Sequence, residues 1–282
     1  MSYLLYCILQ KSPADQEKTN LRGVEGEPVI LMTKNDLSAT ASPMASRDLI
    51  PNLSQLLAYG KVIESFHRDH ALIPLRFGCL LEKESQVMEL LEKNSEKYKR
   101  LLQQLHGCVE IGIRFLPPGE RPRLLPPIRT DPFSRNSKEN PACPDAATPS
   151  GRAYLASRKI HYDLVDRSTK KIEAVINDCR EAFAGLYFQC KTETRSAFAP
   201  HSIFRPSLVS LYFLISQSAV EQFRCIFKQI SANQPGKILW TGPWPPYNFA
   251  MLDETSEDQA NLHKQLKLFA PDNYSNPILK LW

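Results

Sequence analysis

The chain has 282 residues, 43% of them hydrophobic, and a formal net charge of +5. This length suits one large domain or two ordinary ones, and the hydrophobic fraction is that of a globular protein with a sizeable core. The charge excess is too small to require a nucleic acid or an anionic membrane as partner.

Three features of the sequence bear on the cellular compartment of the protein. No apolar run approaches the roughly 20 residues that span a bilayer, so we expect no membrane span. The apolar segment from Met1 to Leu9 lacks a basic region before it and is interpreted as a first strand rather than a signal peptide. The seven cysteines include no CxxC pair, and most lie within apolar patterns. This usage is typical of reduced, buried thiols and predicts a cytoplasmic protein.

Residues 1–116 alternate short apolar runs with segments of helical periodicity. Strands are predicted at 3–9, 28–33, 36–41 and 109–115, with a strand pair or a bent strand at 71–81. Helices are predicted from about Asn52 and over 83–105, where apolar residues follow the helical period. The pattern predicts an α+β domain over residues 1–116. A ferredoxin-like sheet with helices on one face is the simplest such architecture.

Residues 117–149 differ in kind, because they hold nine prolines and no apolar period. This composition predicts a linker or a long surface loop. The segment is also basic, which leaves a nucleic-acid-binding arm as an alternative, although no aromatic platform or binding motif accompanies it.

A long helix is predicted from Gly151 to about Leu186. Two series of residues spaced by seven run along it: Leu155, Tyr162, Thr169, Ile176 and Phe183, and between them Val165, Ile172, Cys179 and Leu186. Two interpretations stay open. The helix packs on its own sheet throughout, or part of it projects and pairs with another helix, since it is longer than a small sheet needs.

The rest of the chain completes a second α+β domain over residues 150–249. Strands are predicted at 187–191, 208–215 and 237–241, and a helix begins at the capping box from Ser218 to Glu221. Residues 250–282 are interpreted as a C-terminal tail that packs on the domains, since an apolar C-terminus such as Leu281-Trp282 is more often docked than free.

Sequence motifs of catalysis are absent. The chain has no dinucleotide-binding glycine pattern, no phosphate-binding loop, no nucleophile elbow and no HExxH. His67 and His70 are interpreted as a polar helix end rather than a metal site, and His106 with Cys108 as structural. We therefore expect no catalytic, cofactor-binding or metal-binding residues, and a function based on contact rather than catalysis.

A proline-rich octet follows the last predicted strand: Gly242-Pro243-Trp244-Pro245-Pro246-Tyr247-Asn248-Phe249. Its three prolines fix φ and remove backbone donors, so the segment is rigid and extended. It is suited either to cover the protein's own core with its aromatic side chains or to present Trp244 and Tyr247 to a partner.

The octet and three other segments resemble the gas vesicle GvpF/GvpL family. The octet is similar to the family's Gly-Pro-Trp-Pro-Pro-Tyr-Ser-Phe, with Asn248 in place of Ser. The opening strand at residues 3–8 resembles Tyr-x-Tyr-x-Ile, residues 72–78 resemble Val-Leu-Pro-x-Arg-Phe-Gly, and residues 151–155 resemble Gly-x-x-Tyr-Leu. Tyr59-Gly60 stands where many members have His-Glu, and the proline-rich linker is longer than in typical members.

The resemblance implies two α+β domains, the first ferredoxin-like and the second a modified version with the long helix. It implies an accessory or minor structural role in gas vesicle formation, in association with the small hydrophobic shell protein and other gas vesicle proteins, and no enzymatic activity. The alternatives are a ferredoxin-like enzyme or small-ligand-binding regulator, and a nucleic-acid binder that uses the basic linker. The family-signature residues, candidates for partner binding or for structure, are Arg76, Phe77, Gly78, Tyr154, Leu155, Gly242, Pro243, Trp244, Pro245, Pro246, Tyr247 and Phe249.

Overall fold

The computed structural model describes residues 2–12, 20–45, 51–116, 151–196, 207–233 and 237–250. These residues form two antiparallel sheets and five α-helices, which confirms the predicted α+β class. The strands are β1 (Ser2–Gln10), β2 (Ile30–Lys34), β3 (Leu37–Met44), β4 (Leu72–Pro74), β5 (Leu80–Leu81), β6 (Cys108–Leu116), β7 (Tyr187–Ser196), β8 (Ser207–Ser216) and β9 (Lys237–Trp244). The helices are α1 (Leu53–His67), α2 (Glu84–Lys93), α3 (Ser95–Gln104), α4 (Gly151–Ala182) and α5 (Val220–Asn233).

The first sheet has the strand order β2-β3-β1-β4, and β5 also pairs with β1. Its central strand β1 is buried on both faces: Leu5 and Ile8 belong to one hydrophobic core, and Leu4 and Leu9 to another. α2 and α3 contribute to the first of these cores, and α1 contributes to the second. The expectation of helices on one face is corrected here. An apolar run without alternation supplies two faces, and both need cover.

The predicted helix at 83–105 is two helices, α2 and α3, separated at Asn94. Asn94 has φ −107° and ψ 15°, outside the helical region, and its side-chain amide donates to the Leu90 carbonyl oxygen at 3.0 Å. Asn side chains that bond to nearby backbone groups compete with the helix in this way. The apolar stripe nevertheless continues across the break, because Leu91 and Leu101 lie in the same core.

The second sheet has the strand order β7-β8-β6-β9, so β6 is one of its two inner strands. β6 pairs antiparallel with β8, for example Ile113 with Leu211, and with β9, for example Ile113 with Trp240. The sequence had placed the strand at 109–115 in the first sheet, and this assignment is wrong. Its alternating pattern predicts one buried face, but it does not identify the sheet whose helices cover that face.

The two sheets share one strand order. From β6 onward the chain runs strand, helix, strand, strand, helix, strand, which is the complete ferredoxin-like connectivity. β1, β2, β3 and β4 have the same relative order, with α1 as the second crossover. The described part of the β1–β2 connection includes the short 3-10 turn Val24–Gly26, and residues 13–19 lie outside the described residues.

The second core lies between the second sheet and two helices, α4 and α5. Phe183, which directly follows α4, stacks on Phe223 of α5 with the ring centroids 3.7 Å apart, and Phe213 of β8 meets both rings edge-on. Ile176 and Cys179 of the predicted heptad pattern also pack in this core. The C-terminal part of α4 thus packs on its own sheet.

The heptad positions nearer the N-terminus of α4 differ from Ile176 and Cys179. Tyr162 and Thr169, which continue the same seven-residue spacing, are exposed. At 32 residues α4 is about 48 Å long, so pairing of this part with another helix stays a prediction. The predicted linker at 117–149, and the predicted tail at 250–282 apart from Ala250, lie outside the described residues. No described helix is both long and apolar enough to cross a bilayer.

Candidate functional site

The proline-rich octet lies against the protein's own interior. Pro245, Pro246 and Phe249 are buried, and Tyr247 is half-buried. β9 runs to Trp244, beyond its predicted end at 241, through a register shift opposite β6. Gly242 has φ 103°, and a Cβ there would lie 2.7 Å from the Glu110 carbonyl oxygen, so only glycine fits this bend.

The octet joins the two sheets. Phe249 is 3% exposed and belongs to the core of the first sheet that α2 and α3 cover, together with Leu214 of β8. Tyr247 packs against the other core of the first sheet, which α1 covers. A segment that directly follows the second sheet therefore contributes side chains to both cores of the first. We call the region where Tyr247, Asn248 and Phe249 of the octet contact the two sheets the seam.

Tyr59 of α1 is the point at which three of the family-like segments meet. Its ring lies 4.9 Å from that of Tyr6 in β1 and 5.2 Å from that of Phe77, and Tyr247 of the octet packs against the same core. The Tyr59 hydroxyl donates to the Leu5 carbonyl oxygen at 2.8 Å and lies 3.0 Å from the Leu75 carbonyl oxygen. We call these four aromatic residues the Tyr59 cluster.

Burial keeps the Tyr59 cluster neutral. It raises the pKa of Tyr59 well above its ordinary value, and it also raises the pKa of Tyr247. For Tyr247 the next causes are the neighbouring Cys7, Glu64 and Glu110. A neutral hydroxyl remains a donor, so Tyr59 continues to bind the β1 backbone. Sequence reasoning noted Tyr59 only as a departure from the family pattern, and a tyrosine on the buried stripe of a helix was the available signal.

Residues 75–79 form a turn between β4 and β5 rather than one strand. The Cys79 N–H donates to the Arg76 carbonyl oxygen at 3.3 Å, and Gly78 has φ 91°. Arg76 is exposed in this turn, whereas a continuous bent strand at 71–81, one of the two predicted alternatives, would place it on a strand. That placement is wrong, because the chain turns immediately after Pro74. Phe77 points toward Tyr59, so the turn presents Arg76 outward and Phe77 inward.

Glu110 of β6 lies in the seam and is 3% exposed. One carboxylate oxygen accepts a hydrogen bond from the Asn248 backbone N–H at 2.7 Å, and the other accepts from the Asn248 side-chain amide at 2.6 Å. Burial raises the pKa of Glu110 from 4.5 to about 7, against the lowering effects of Asn248 and Lys191. The alternating pattern of β6, which predicts one buried face, leaves Glu110 on the opposite face. A second element covers that face, and no local pattern shows this.

Tyr154 and Leu155 lie at the start of α4, and their side chains are outside the described part of the structure. Trp244 is half-buried at the end of β9, opposite Glu110. Of the predicted signature residues, the structure brings together Phe77, Tyr247 and, through the seam, Phe249.

The histidines singled out in the sequence lie near the ends of α1 and α3. His67 Nε2 lies 3.2 Å from the Cys108 carbonyl oxygen, and burial lowers the pKa of His67. His70 and His106, with Lys11 and Asp69, line an open pocket of about 480 Å³. Within the described ranges, no three His, Cys, Asp or Glu side chains are grouped so as to hold a metal ion.

Large apolar side chains are exposed at a few described positions. Leu53 and Leu57 are adjacent on one face of α1, at 60% and 55% exposure. The others are Tyr162 of α4, Phe188 of β7 and Leu239 of β9. Single exposed apolar residues are ordinary on protein surfaces, but an adjacent pair supplies a larger contact.

Comparison with known proteins gives one consistent result. A family model described as gas vesicle synthesis protein GvpL/GvpF matches residues 2–251. Gas vesicle protein L of Streptomyces sp. (strain CB03234) is 24% identical over 253 residues, which cover 82% of this chain and 86% of that protein. Gas vesicle protein F of the same strain is 24% identical over 251 residues, which cover 88% of this chain and 99% of that protein.

Solved structures agree in fold. The crystal structure of GvpF from Anabaena sp. PCC7120 superposes with a TM-score of 0.63 at 18% identity, covering 90% of this chain and 97% of that one. The crystal structure of GvpF from Microcystis aeruginosa gives a TM-score of 0.64 at 16% identity, covering 89% and 99%. At these identities the likeness concerns the fold alone.

Proposed function

Because the chain belongs to the gas vesicle synthesis protein GvpL/GvpF family, we propose that it is an accessory or minor structural protein of gas vesicle assembly that binds the small hydrophobic shell protein. The observation that carries the proposal is the family match over residues 2–251, nearly the whole described chain. The family is one of gas vesicle proteins and not a known enzyme family. We infer that the chain works by contact with vesicle proteins, in the cytoplasm and at the gas vesicle.

The packing of the octet supports a structural role for that segment. Its buried residues Pro245, Pro246 and Phe249 are committed to the seam and are not available to a partner without local opening. The shell protein therefore binds elsewhere. Arg76, in the turn that also carries Phe77 of the Tyr59 cluster, and Pro243 are the exposed signature residues among those whose side chains the structure describes, so both are accessible to a partner.

We assign the apolar part of the contact to Leu53 and Leu57. A hydrophobic partner binds best where adjacent apolar side chains are already exposed, because their burial releases the most ordered water. Burying the exposed part of each leucine contributes about 1–2 kcal/mol, from the 1.5–3 kcal/mol of a whole side chain. Two such side chains are worth at least a tenfold change in affinity.

The test is capture of the shell protein by the immobilised full-length chain. The wild type is expected to retain it, and the double variant Leu53→Ser/Leu57→Ser to bind it at least about tenfold more weakly. The matched control is Leu239→Ser, an exposed leucine on the other sheet, which should bind like the wild type. Failure of the wild type to bind contradicts the proposed function. If the control loses binding and the double variant retains it, only the assignment of the contact to Leu53 and Leu57 is contradicted.

A further inference from the structure

Glu110 is a buried carboxyl group placed between two elements that meet only after folding. From β6 it faces the octet, whose Asn248 supplies both hydrogen bonds to its carboxylate. Lys191 of β7 is the cation that faces it, and Tyr247 of the octet is the second titratable group. Behind Tyr247 stand Glu64 of α1 and Cys7 of β1.

The contact holds the octet at the point where it crosses the seam. Asn248 lies between Tyr247, which packs on one core of the first sheet, and Phe249, which is buried in the other. Lys191 lies 5.5 Å from the centre of the Phe249 ring, so it is close to the same point from the side of β7. Release of Asn248 from Glu110 would free the segment that places both aromatic side chains.

We propose that the contact between Glu110 and Asn248 is a pH-sensitive clasp, which holds the octet across the seam most tightly when Glu110 is protonated and loosens as Glu110 ionises. The proposal does not rest on the proposed function. It concerns the connection between the two sheets and needs no partner.

Both protonation states have a hydrogen-bonding arrangement in the clasp. Ionised Glu110 accepts from the backbone N–H and from the side-chain amide of Asn248. When Glu110 is protonated, its O–H can donate to the Asn248 side-chain oxygen after rotation of the amide by half a turn, since the two ends of an amide have the same shape. The separation of 2.6 Å at this position suits an O–H···O bond.

The direction of the pH effect follows from linkage. Burial raises the pKa of Glu110 from 4.5 to about 7 in the closed clasp, and opening returns the group to water. Between pH 4.5 and about pH 7 the closed form therefore binds more protons than the open form. The stabilisation of the clasp is fully present below pH 4.5 and is lost as the pH rises through 7. Between pH 5 and pH 8 the open fraction should rise by a factor on the order of 100.

Hydrogen–deuterium exchange of the full-length chain tests the clasp. The probe is a peptide that contains residues 245–250, followed from pH 5 to pH 8 and corrected for the intrinsic pH dependence of amide exchange. In the wild type we expect protection of this peptide to fall on the order of 100-fold as the pH rises. In Glu110→Gln protection should be independent of pH. The matched control Glu181→Gln, at an exposed residue of α4, should behave like the wild type.

Two results would overturn the proposal. One is protection of the octet that does not change with pH in the wild type, and the other is an unaltered pH dependence in Glu110→Gln. If Glu110→Gln does not fold, the wild type still decides the question through the infrared carboxyl band of a protein labelled on its glutamates. One carboxyl group should titrate near pH 7, and titration of every glutamate near its ordinary value contradicts the clasp.

Discussion

Phe249 offers the sharpest test of the seam, because truncation of a side chain near the second sheet should weaken the first. Phe249 is 3% exposed and lies in the core that α2 and α3 cover. Replacement of a buried phenylalanine by alanine removes its transfer free energy and leaves a cavity, at a cost of about 3–5 kcal/mol. Total stabilities of proteins are about 5–15 kcal/mol, so Phe249→Ala should lower the denaturation midpoint clearly.

The assay combines urea denaturation with hydrogen–deuterium exchange. We expect a loss of about 3–5 kcal/mol in Phe249→Ala, with the largest loss of protection in α2 and α3 rather than in the second sheet. The matched control is Phe188→Ala, a phenylalanine of β7 that is 67% exposed and should change stability by less than about 0.5 kcal/mol. A wild-type midpoint in Phe249→Ala, or deprotection confined to β6–β9, would refute the packing argument.

The other two predictions concern the Tyr59 cluster and the linker. Tyr59→Phe removes the donor to the Leu5 carbonyl and should lower the unfolding free energy by about 1–3 kcal/mol. A wild-type urea midpoint in Tyr59→Phe would contradict the role of Tyr59. Proteolytic cleavage within residues 117–149 should leave two fragments that co-elute in gel filtration and separate only in denaturant. Separation under native conditions would show that the second sheet does not hold β6.

Local patterns predicted the elements well. The run of apolar residues in β1, the stripes of α1 and α5 and the alternation in β6 each report the environment of a short segment, and each lies where it was expected. The octet was predicted as rigid and extended. Its first residues, Gly242 to Trp244, belong to β9, but the chain turns at Tyr247 to Phe249, where the Phe249 N–H donates to the Pro246 carbonyl oxygen at 3.1 Å. The extended form does not continue through the octet, because proline restricts only its own φ. The single helix predicted at 83–105 was wrong because the periodicity of apolar residues does not register the break at Asn94.

Pairing between distant segments was not predictable in the same way. The alternation in β6 indicates one apolar face, and the sequence offers two sheets that this strand could join. The choice is made by β8 and β9, which lie much further along the chain, as the pairing of Ile113 with Leu211 and with Trp240 shows. The burial of Glu110 was not predictable for the same reason. The alternation in β6 places Glu110 on the face opposite the core of the second sheet, and only the distant octet covers that face. The site was therefore found only in part, through Phe77, Tyr247 and Phe249.

Because of the position of β6, the predicted domain boundary at residue 116 does not coincide with the division between the two sheets. β6 precedes the linker and is covalently continuous with the first sheet, yet it is an inner strand of the second. The octet crosses in the opposite direction, since it follows the second sheet and contributes Phe249 to the first core. The chain before residue 117 thus supplies a strand of the second sheet, and the chain after it supplies a core side chain to the first. Neither the second sheet nor the core of the first is complete when the chain is divided at residue 116. The contributions of β6 and Phe249 must form together, so the seam should fold and open as a unit. A single buried carboxyl group such as Glu110 is then able to shift the equilibrium between the closed and the open seam.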